Sequence, residues 1–514
     1  MDDLLADLPN RAGALATRWA QVAPDRPALI DGSGTWRYGE LPDVVDRARK
    51  WLLQNGVRPG DRVMIVGENC RALVASLLAC ASLDTWFVIA NARLSDREID
   101  EIRDHCSPRR ILYTTGVSVR ARAHAERHGA TACAIEPIGT MAVSPLNRLA
   151  TTEPVSDDPG KQIAAVIYTT GTSGRPKGVM LTHRNLLFVA KISGALRALS
   201  DQDRVYGLLP VSHILGLSVV LLGSLYYGAA LHLAARFDPP TILTAIQRER
   251  LSFILGTPAM YTLLAEYAAF KGLVRLSDHG LRVISAAGAP LDPVTKSAAE
   301  RLFGITLHNG YGVTECSPTI SQTRLDRPRR DSSVGPVWPG VEVQLVDDGG
   351  KAVAAGYVGE LRVRGPNLMA GYYRAPDETA AAIDADGWFR TGDLARFEDD
   401  HLFIVGRAKE LIIRHGFNVY PAEVELVLNA HPEVTQSAVI GRLHNGTEDI
   451  IAFIQLRPGA ATTSTEIADH AARQLAPYKR PTEIFLLPKL PAAANGKILK
   501  SELVRLAHQK RASP

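Results

Sequence analysis

The run Tyr168 to Gly178 reads Tyr-Thr-Thr-Gly-Thr-Ser-Gly-Arg-Pro-Lys-Gly, with an apolar stretch from Ile163 leading into it and another, Val179 to Leu181, leaving it. Short apolar stretches bounded by glycine and proline read as buried strands. The run is therefore a loop between two strands, which commits this part of the chain to a sheet. Its chemistry is equally specific. Gly171 and Gly174 let the backbone turn and aim N–H groups at oxygens. Thr169, Thr170, Thr172 and Ser173 add hydroxyl donors, and Lys177 adds a movable cation. Such a loop suits a polyphosphate. It is not the Walker type, which ends Gly-Lys-Ser/Thr and opens a helix; here Pro176 precedes Lys177 and Gly178 follows it. A helix comes only later, with Thr182 as its expected N-cap.

The surrounding sequence alternates strand and helix signals. Val63 to Val66 reads as a strand, Asn69 as the cap of the helix through Leu78, and Phe87 to Ala90 as the next strand. Ser95-Asp-Arg-Glu98 is a capping box, and Ile111 to Tyr113 follows as a strand. This βαβ rhythm implies parallel sheets with helices on their faces, continuing to about residue 330. From Val334 to Ile404 glycine-spaced short strands predict a small β-barrel or twisted sheet. Beyond Gly406, a helix after Pro421, strands at Val434 to Ile440, Ile450 to Leu456 and Ile484 to Leu487, and a capping box at Thr463 to Glu466 predict a compact α+β unit. The fold class is thus α/β: parallel βαβ sheets (about 1–330) plus a small β-barrel (about 331–405), then a small α+β domain.

A length of 514 residues gives ample core, and 46% apolar residues fit an ordinary globular chain. The net charge of +4 gives no case for nucleic acid. Five scattered cysteines form no CxxC pair, so neither disulfide framework nor zinc site is expected, and a reducing, cytoplasmic setting is. The acidic start (Asp2, Asp3, Asp7) lacks signal-peptide character. Ile214 to Ala235 carries no formal charge but is broken by glycines, serines and His232; it reads as a core helix followed by a strand, not a transmembrane span.

Six further segments repeat, in order, the motifs of one family. They are Leu209-Pro-Val-Ser-His-Ile-Leu-Gly216, Asn309-Gly-Tyr-Gly-Val-Thr-Glu315, Gly359 to Gly365, Trp388-Phe-Arg-Thr-Gly-Asp393, Gly406 to Pro421, and Pro491 to Lys497. Together with the loop they resemble the adenylate-forming superfamily of acyl-CoA synthetases, peptide-synthetase adenylation domains and luciferases, most of all its acyl-CoA ligase branch. The resemblance implies that 1–405 form one large N-terminal domain, followed by a hinge at 406–409 and a small mobile lid at 410–514. It implies ATP, Mg2+ and coenzyme A: an acid is first joined to AMP with release of pyrophosphate, then passed to a thiol.

By resemblance Lys177 and the loop hold pyrophosphate, Glu315 holds the metal, and Thr314 meets the α-phosphate. Tyr311 stacks on adenine, with Ala287, Gly288, Asn309 and Gly310 at its edge. Asp393 and Arg407 take the ribose. Lys497 approaches the bridging and carboxylate oxygens, His213 lines the carboxylate pocket, Lys409 is the hinge, and Gly416 lies along the pantetheine tunnel. The family's usual glycine pair is His415-Gly416 here. Arg414, Arg442 and Lys479 are candidate contacts for CoA phosphates, and Lys497 resembles a site modified by lysine acetyltransferases. The expected substrate is a fatty or aromatic acid, with pocket residues from His213 to Gly216, Pro258 to Tyr261 and Ala287 to Pro290. The alternative is a standalone enzyme loading an acyl or amino acid onto a carrier protein. Two features disfavour it: no Asp stands in Val211 to Leu217, and no carrier domain follows Lys497.

Overall fold

The computed structural model describes residues 2–170, 176–415, 417–444, 447–492 and 498–512. Two eight-stranded sheets dominate the first 400 residues. One runs, in spatial order, Thr319–Gln322, Leu307–Gly312, Val283–Ala286, Phe253–Gly256, Arg204–Gly207, Ala230–Leu233, Pro27–Asp31, Gly34–Arg37. Its centre is parallel and both edge pairs are antiparallel. The other runs Gly371–Tyr372, Pro176–Thr182, Ile163–Thr170, Trp86–Asn91, Arg62–Gly67, Arg110–Tyr113, Gly139–Val143, Thr131–Ile135. Its parallel centre carries the strands expected at Val63, Phe87, Ile111 and Ile163. The two strands flanking the loop pair antiparallel, with Thr169 opposite Lys177 and Thr170 opposite Pro176.

Local signals explain where the helices begin. Thr182 accepts from the Asn185 N–H at 3.1 Å, and Asn185 Oδ1 accepts from the Thr182 N–H at 2.9 Å, starting the helix His183–Leu196. The same reciprocal capping opens Asp96–Cys106 and Ser464–Gln474. One expected cap is not there. Cys70, not Asn69, precedes the helix Arg71–Ser82 and makes no side-chain cap. Asn69 instead donates to the Gly207 and Leu209 carbonyls at 3.1 and 2.9 Å and accepts from the Val211 N–H at 2.8 Å. A buried amide satisfied three times by another segment's backbone is worth more than one cap, so the side chain turns away from its own helix.

The apolar stretch after His213 forms a π-helix, Leu215–Leu222, running into the short helix Gly223–Tyr227 and then the strand Ala230–Leu233. A methyl group on Gly216 would sit 2.2 Å from the Pro210 carbonyl oxygen, so only glycine fits there. Among the described residues no helix is long and apolar enough to cross a membrane.

The segment from 334 to 404 folds as a four-stranded antiparallel sheet, Glu342–Val346, Gly359–Arg364, Phe389–Glu398, His401–Arg407. It takes the open twisted-sheet form of the two expected. One apolar core joins this sheet to both large ones, reaching Leu402. Two smaller cores draw only on residues from Ile412 onward, around the sheet Val434–His444, Thr447–Leu456, Glu483–Leu487. The hydrogen bond from Thr435 Oγ1 to Glu266 Oε1, 3.2 Å, crosses between the two parts.

His183 is fully buried and its Nδ1 accepts from the Ala12 N–H at 3.1 Å, fastening the N-terminal segment to the helix it begins. Burial, with a smaller push from Arg11, holds its pKa down at about 3. A folded pKa below the unfolded value of about 6.5 means the stabilisation is complete above pH 6.5 and is lost as pH falls towards 3. His183→Asn keeps an acceptor for Ala12 but does not titrate. The fall in denaturation midpoint between pH 7.5 and pH 5 is expected to be smaller in the variant; an equal fall in both proteins would contradict the assignment.

Candidate active site

The site is assembled where the small sheet meets the edge of the first large sheet. Tyr311, on the strand Leu307–Gly312, donates its hydroxyl hydrogen bond to Asp393 Oδ2 on the strand Phe389–Glu398. Arg407 Nε lies 2.9 Å from Asp393 Oδ1, its own strand being registered so that the two residues are directly paired. Asp393 is buried. Each carboxylate oxygen therefore has a protein partner. Thr391 tightens the turn: its hydroxyl donates to the Leu361 carbonyl at 2.7 Å and accepts from the Asp393 N–H at 3.0 Å. Burial, and then the Asp393 charge, raises the Tyr311 hydroxyl pKa well above its usual value, so it stays a donor. For Arg407 burial works downward, but Asp393 and Tyr311 outweigh it and the net direction is up.

A second group lies around Glu315. Thr314, Glu315 and Cys316 form a 3-10 turn directly after that tyrosine strand. Glu315 Oε1 accepts from the Tyr372 hydroxyl at 2.8 Å, and the Glu315 carbonyl accepts from the Met369 N–H at 2.8 Å. Lys177 sits over the Tyr372 ring, 5.1 Å from its centroid, and pairs with Glu378. The stretch 369–373 thus stitches the two sheets together: Ala370 and Tyr373 donate to the carbonyls of Met180 and Gly178. Gly178 is needed for that approach, since a Cβ would meet Val166 at 2.8 Å.

The third group is the wall next to Ala287 and Gly288. Gly288 has φ +86°, and a side chain there would point at Leu215 Cδ1 and Thr257 Cγ2, 3.5 and 3.9 Å away. Two of the expected pocket segments, 213–216 and 287–290, thus touch at this glycine, with Thr257, the residue before the third, beside them. Ala287 is buried and its N–H is spent on the Gly256 carbonyl. His213 Nδ1 accepts from the Leu215 N–H at 3.3 Å, which fixes the ring at the mouth of the π-helix. Asn309 is buried, and its amide donates to the Ser332 and Ser333 carbonyls at 3.3 and 3.2 Å. Gly310 pairs with Gln322 beside it.

Of the expected residues, Thr169, Lys177, Thr314 and Glu315 belong to one neighbourhood and Tyr311, Asp393 and Arg407 to the next. Lys409 is exposed in the short turn Ala408–Glu410 between the last strand of the small sheet and the C-terminal unit. Burial and the nearby Arg407 lower its pKa, with Lys177 adding to the effect. Gly171, Thr172, Ser173, Gly174, Gly416 and Lys497 lie outside the described residues, as does the side chain of Thr170. Two basic candidates for CoA phosphates have other work. Arg442 is buried and pairs with Asp449 and Glu483, and Lys479 pairs with Glu423. Arg414 Nη1 donates to the Arg480 carbonyl at 2.6 Å. Tyr372, Glu378 and Asn69 are the participants that the sequence did not flag. The pair Tyr372-Tyr373 after Gly371 was the only local hint, and nothing local placed it against Glu315.

Comparison with known proteins places the chain in a family. Residues 16–373 match the model of the AMP-binding enzyme family, and residues 423–497 match that of the AMP-binding enzyme C-terminal domain. The chain is 33% identical to a feruloyl-CoA synthase of an Amycolatopsis species, over 96% of this chain and 98% of that protein. It is 30% identical to 4-coumarate–CoA ligase 3 of Oryza sativa subsp. japonica, over 95% and 91%. Among solved structures, ATP-bound MatB from Rhodopseudomonas palustris superposes with a TM-score of 0.85 at 28% identity, covering 97% of this chain and 98% of that one. The chain belongs to the AMP-binding enzyme family, and within it is an ATP-dependent, AMP-forming acid–thiol ligase, an acyl-CoA synthetase.

Tyr311→Phe keeps the ring and removes the hydrogen bond to a charged acceptor, which is worth about 1.5 kcal/mol or more. KM for ATP is expected to rise roughly tenfold with kcat little changed. An unchanged KM in steady-state kinetics would detach this hydroxyl from nucleotide binding.

Proposed function

We propose that this ligase activates an aromatic carboxylic acid and transfers the acyl group to coenzyme A. Methyl groups of Leu215 and Thr257 border Gly288, and that apolar wall carries the proposal. Leu215 and Ala287 are buried, and the glycine at 288 adds no side chain to this apolar wall, which suits a ring. Similarity over nearly the whole chain to relatives named for feruloyl and 4-coumaroyl substrates supports the aromatic reading over a fatty one.

Each residue then has a task. Asp393 accepts the ribose hydroxyls, held in place by Tyr311 and Arg407. Tyr311 offers its ring to the adenine, and the backbone at Ala287, Gly288, Asn309 and Gly310 borders the base. Asn309 contributes as a brace, because its NH2 group is already engaged. Lys177 and the loop from Thr169 to Gly174 take the β- and γ-phosphates, and Thr314 the α-phosphate. A carboxylate oxygen attacks the α-phosphorus; the new O–P bond forms as the bond to pyrophosphate breaks. Both partners are anions, so fixed donors and cations aimed at the phosphates are what lower the barrier. His213 borders the carboxylate, and Lys497 is the cation proposed for the bridging oxygen. The CoA sulfur then attacks the acyl carbon and AMP departs.

The residues fit Mg2+. Glu315 offers one carboxylate, and the described residues hold no cluster of three or more His, Cys, Asp or Glu that could cage an ion unaided. Mg2+ favours one or two carboxylates plus substrate phosphates, and when bound it would neutralise charge on those phosphates. We assign residues 1–405 to the catalytic body, 406–409 to a hinge centred on Lys409, and 410–514 to a lid. Separate apolar cores on either side of the hinge support that division. Gly416 in the lid would border the pantetheine arm, and acetylation of Lys497 would switch off the first half-reaction by removing its charge.

The test uses the full chain with ATP, Mg2+ and CoA against ferulate, 4-coumarate, benzoate and decanoate, following AMP and the thioester together. A hydroxycinnamate is expected to give the highest kcat/KM, with AMP and thioester formed one for one. Highest kcat/KM with decanoate would overturn the aromatic assignment, and AMP without thioester would overturn CoA as the acceptor.

A further inference from the structure

The pairing of Lys177 with Glu378 has no place in the chemistry above. Glu378 lies in the helix Pro376–Ala382, which is pinned beside Lys177 by its neighbour: Thr379 Oγ1 accepts from the Tyr372 N–H at 2.9 Å, and Tyr372 belongs to the two-residue strand paired with Val179 and Met180. Gly371 packs on Thr379, where a Cβ would come within 2.8 Å. The helix is thus registered so that one carboxylate reaches the Lys177 ammonium, which also lies over the Tyr372 ring. That ring in turn is tied through its hydroxyl to Glu315. Glu378 remains half-exposed, with 49% of its side chain accessible against 28% for Lys177.

We propose that Glu378 is an exchangeable counterion for Lys177, holding the ammonium when no polyphosphate is present and competing with ATP and pyrophosphate for it. This rests on Lys177 being a polyphosphate contact. The competition is physically reasonable in both directions. An accessible carboxylate–ammonium pair is weak and screened, so phosphate oxygens of higher charge displace it. The released carboxylate is close enough to water to be solvated without penalty. Once the anhydride has formed, the same carboxylate favours departure of pyrophosphate by reclaiming the cation. Glu378 does not touch the reacting atoms; it is a positioning residue that sets how tightly the polyphosphate is held.

The experiment compares wild type, Glu378→Gln, Glu378→Asp and Lys177→Met, each checked for an unchanged thermal transition. It measures KM for MgATP, kcat, and the inhibition constant of added pyrophosphate in acyl-AMP formation. Glu378→Gln is expected to lower both KM for ATP and the pyrophosphate inhibition constant about two- to fivefold, the range an exposed ion pair allows. The two constants should fall together, the gap to wild type should narrow as salt is raised, and Glu378→Asp should lie between. A KM that rises in Glu378→Gln, or constants that do not move, would overturn the proposal. Lys177→Met separates the two layers: if it leaves KM and pyrophosphate inhibition unchanged, the assignment of Lys177 fails first.

Discussion

The structure turns on one buried carboxylate. Asp393 is on the small sheet, Tyr311 on a large one, and Arg407 at the end of the small sheet's last strand, and all three meet through one hydrogen bond and one ion pair at the same two oxygens. An unpaired carboxylate this deeply buried would be costly. With a phenol and a guanidinium in place it is paired and directional, and it fixes the relation between the sheets. Because Arg407 directly precedes the short turn Ala408–Glu410, the carboxylate also anchors the start of that turn to the small sheet. A charge that serves the fold in this way is already oriented when a polyol arrives to share it.

Around that centre, backbone hydrogen bonds carry the remaining precision. The stretch 369–373 gives N–H donors to Glu315, Met180 and Gly178 in turn, binding the expected metal residue to the strand that carries Lys177. Asn185 reaches the Pro366 and Leu368 carbonyls at 2.7 and 2.9 Å from the helix that follows the loop, so the same stretch is held from its other end. Asn69 does the equivalent elsewhere, gripping the segment 207–211 that leads to His213. These are neutral bonds in a largely apolar interior, where leaving any of them unmade would cost more than making it returns.

What was legible in the sequence follows from the range of the interactions. Thr182, Ser95 and Thr463 announced helix starts because a capping box closes within four residues. The strands at 63, 87, 111 and 163 were legible because burial on both faces demands continuous apolar runs. The strands Pro27–Asp31 and Gly34–Arg37 were not read, since the first is placed by pairing with Leu231 and His232, two hundred residues away in the chain. Asn69 looked like a cap because local rules cannot see the carbonyls at 207 and 209. Tyr311, Glu315, Asp393 and Arg407 were found through motif resemblance, not through geometry. Tyr372 and Glu378 stayed hidden because their importance lies wholly in what the fold brings beside them.

A crystal structure of the full chain with a non-hydrolysable ATP analogue and Mg2+ tests the central claim most directly. The account predicts both ribose hydroxyls within hydrogen-bonding reach of Asp393, about 3 Å, with the Tyr311 and Arg407 contacts to that carboxylate retained. A ribose bound elsewhere, or Arg407 drawn off Asp393 onto a phosphate, would contradict it.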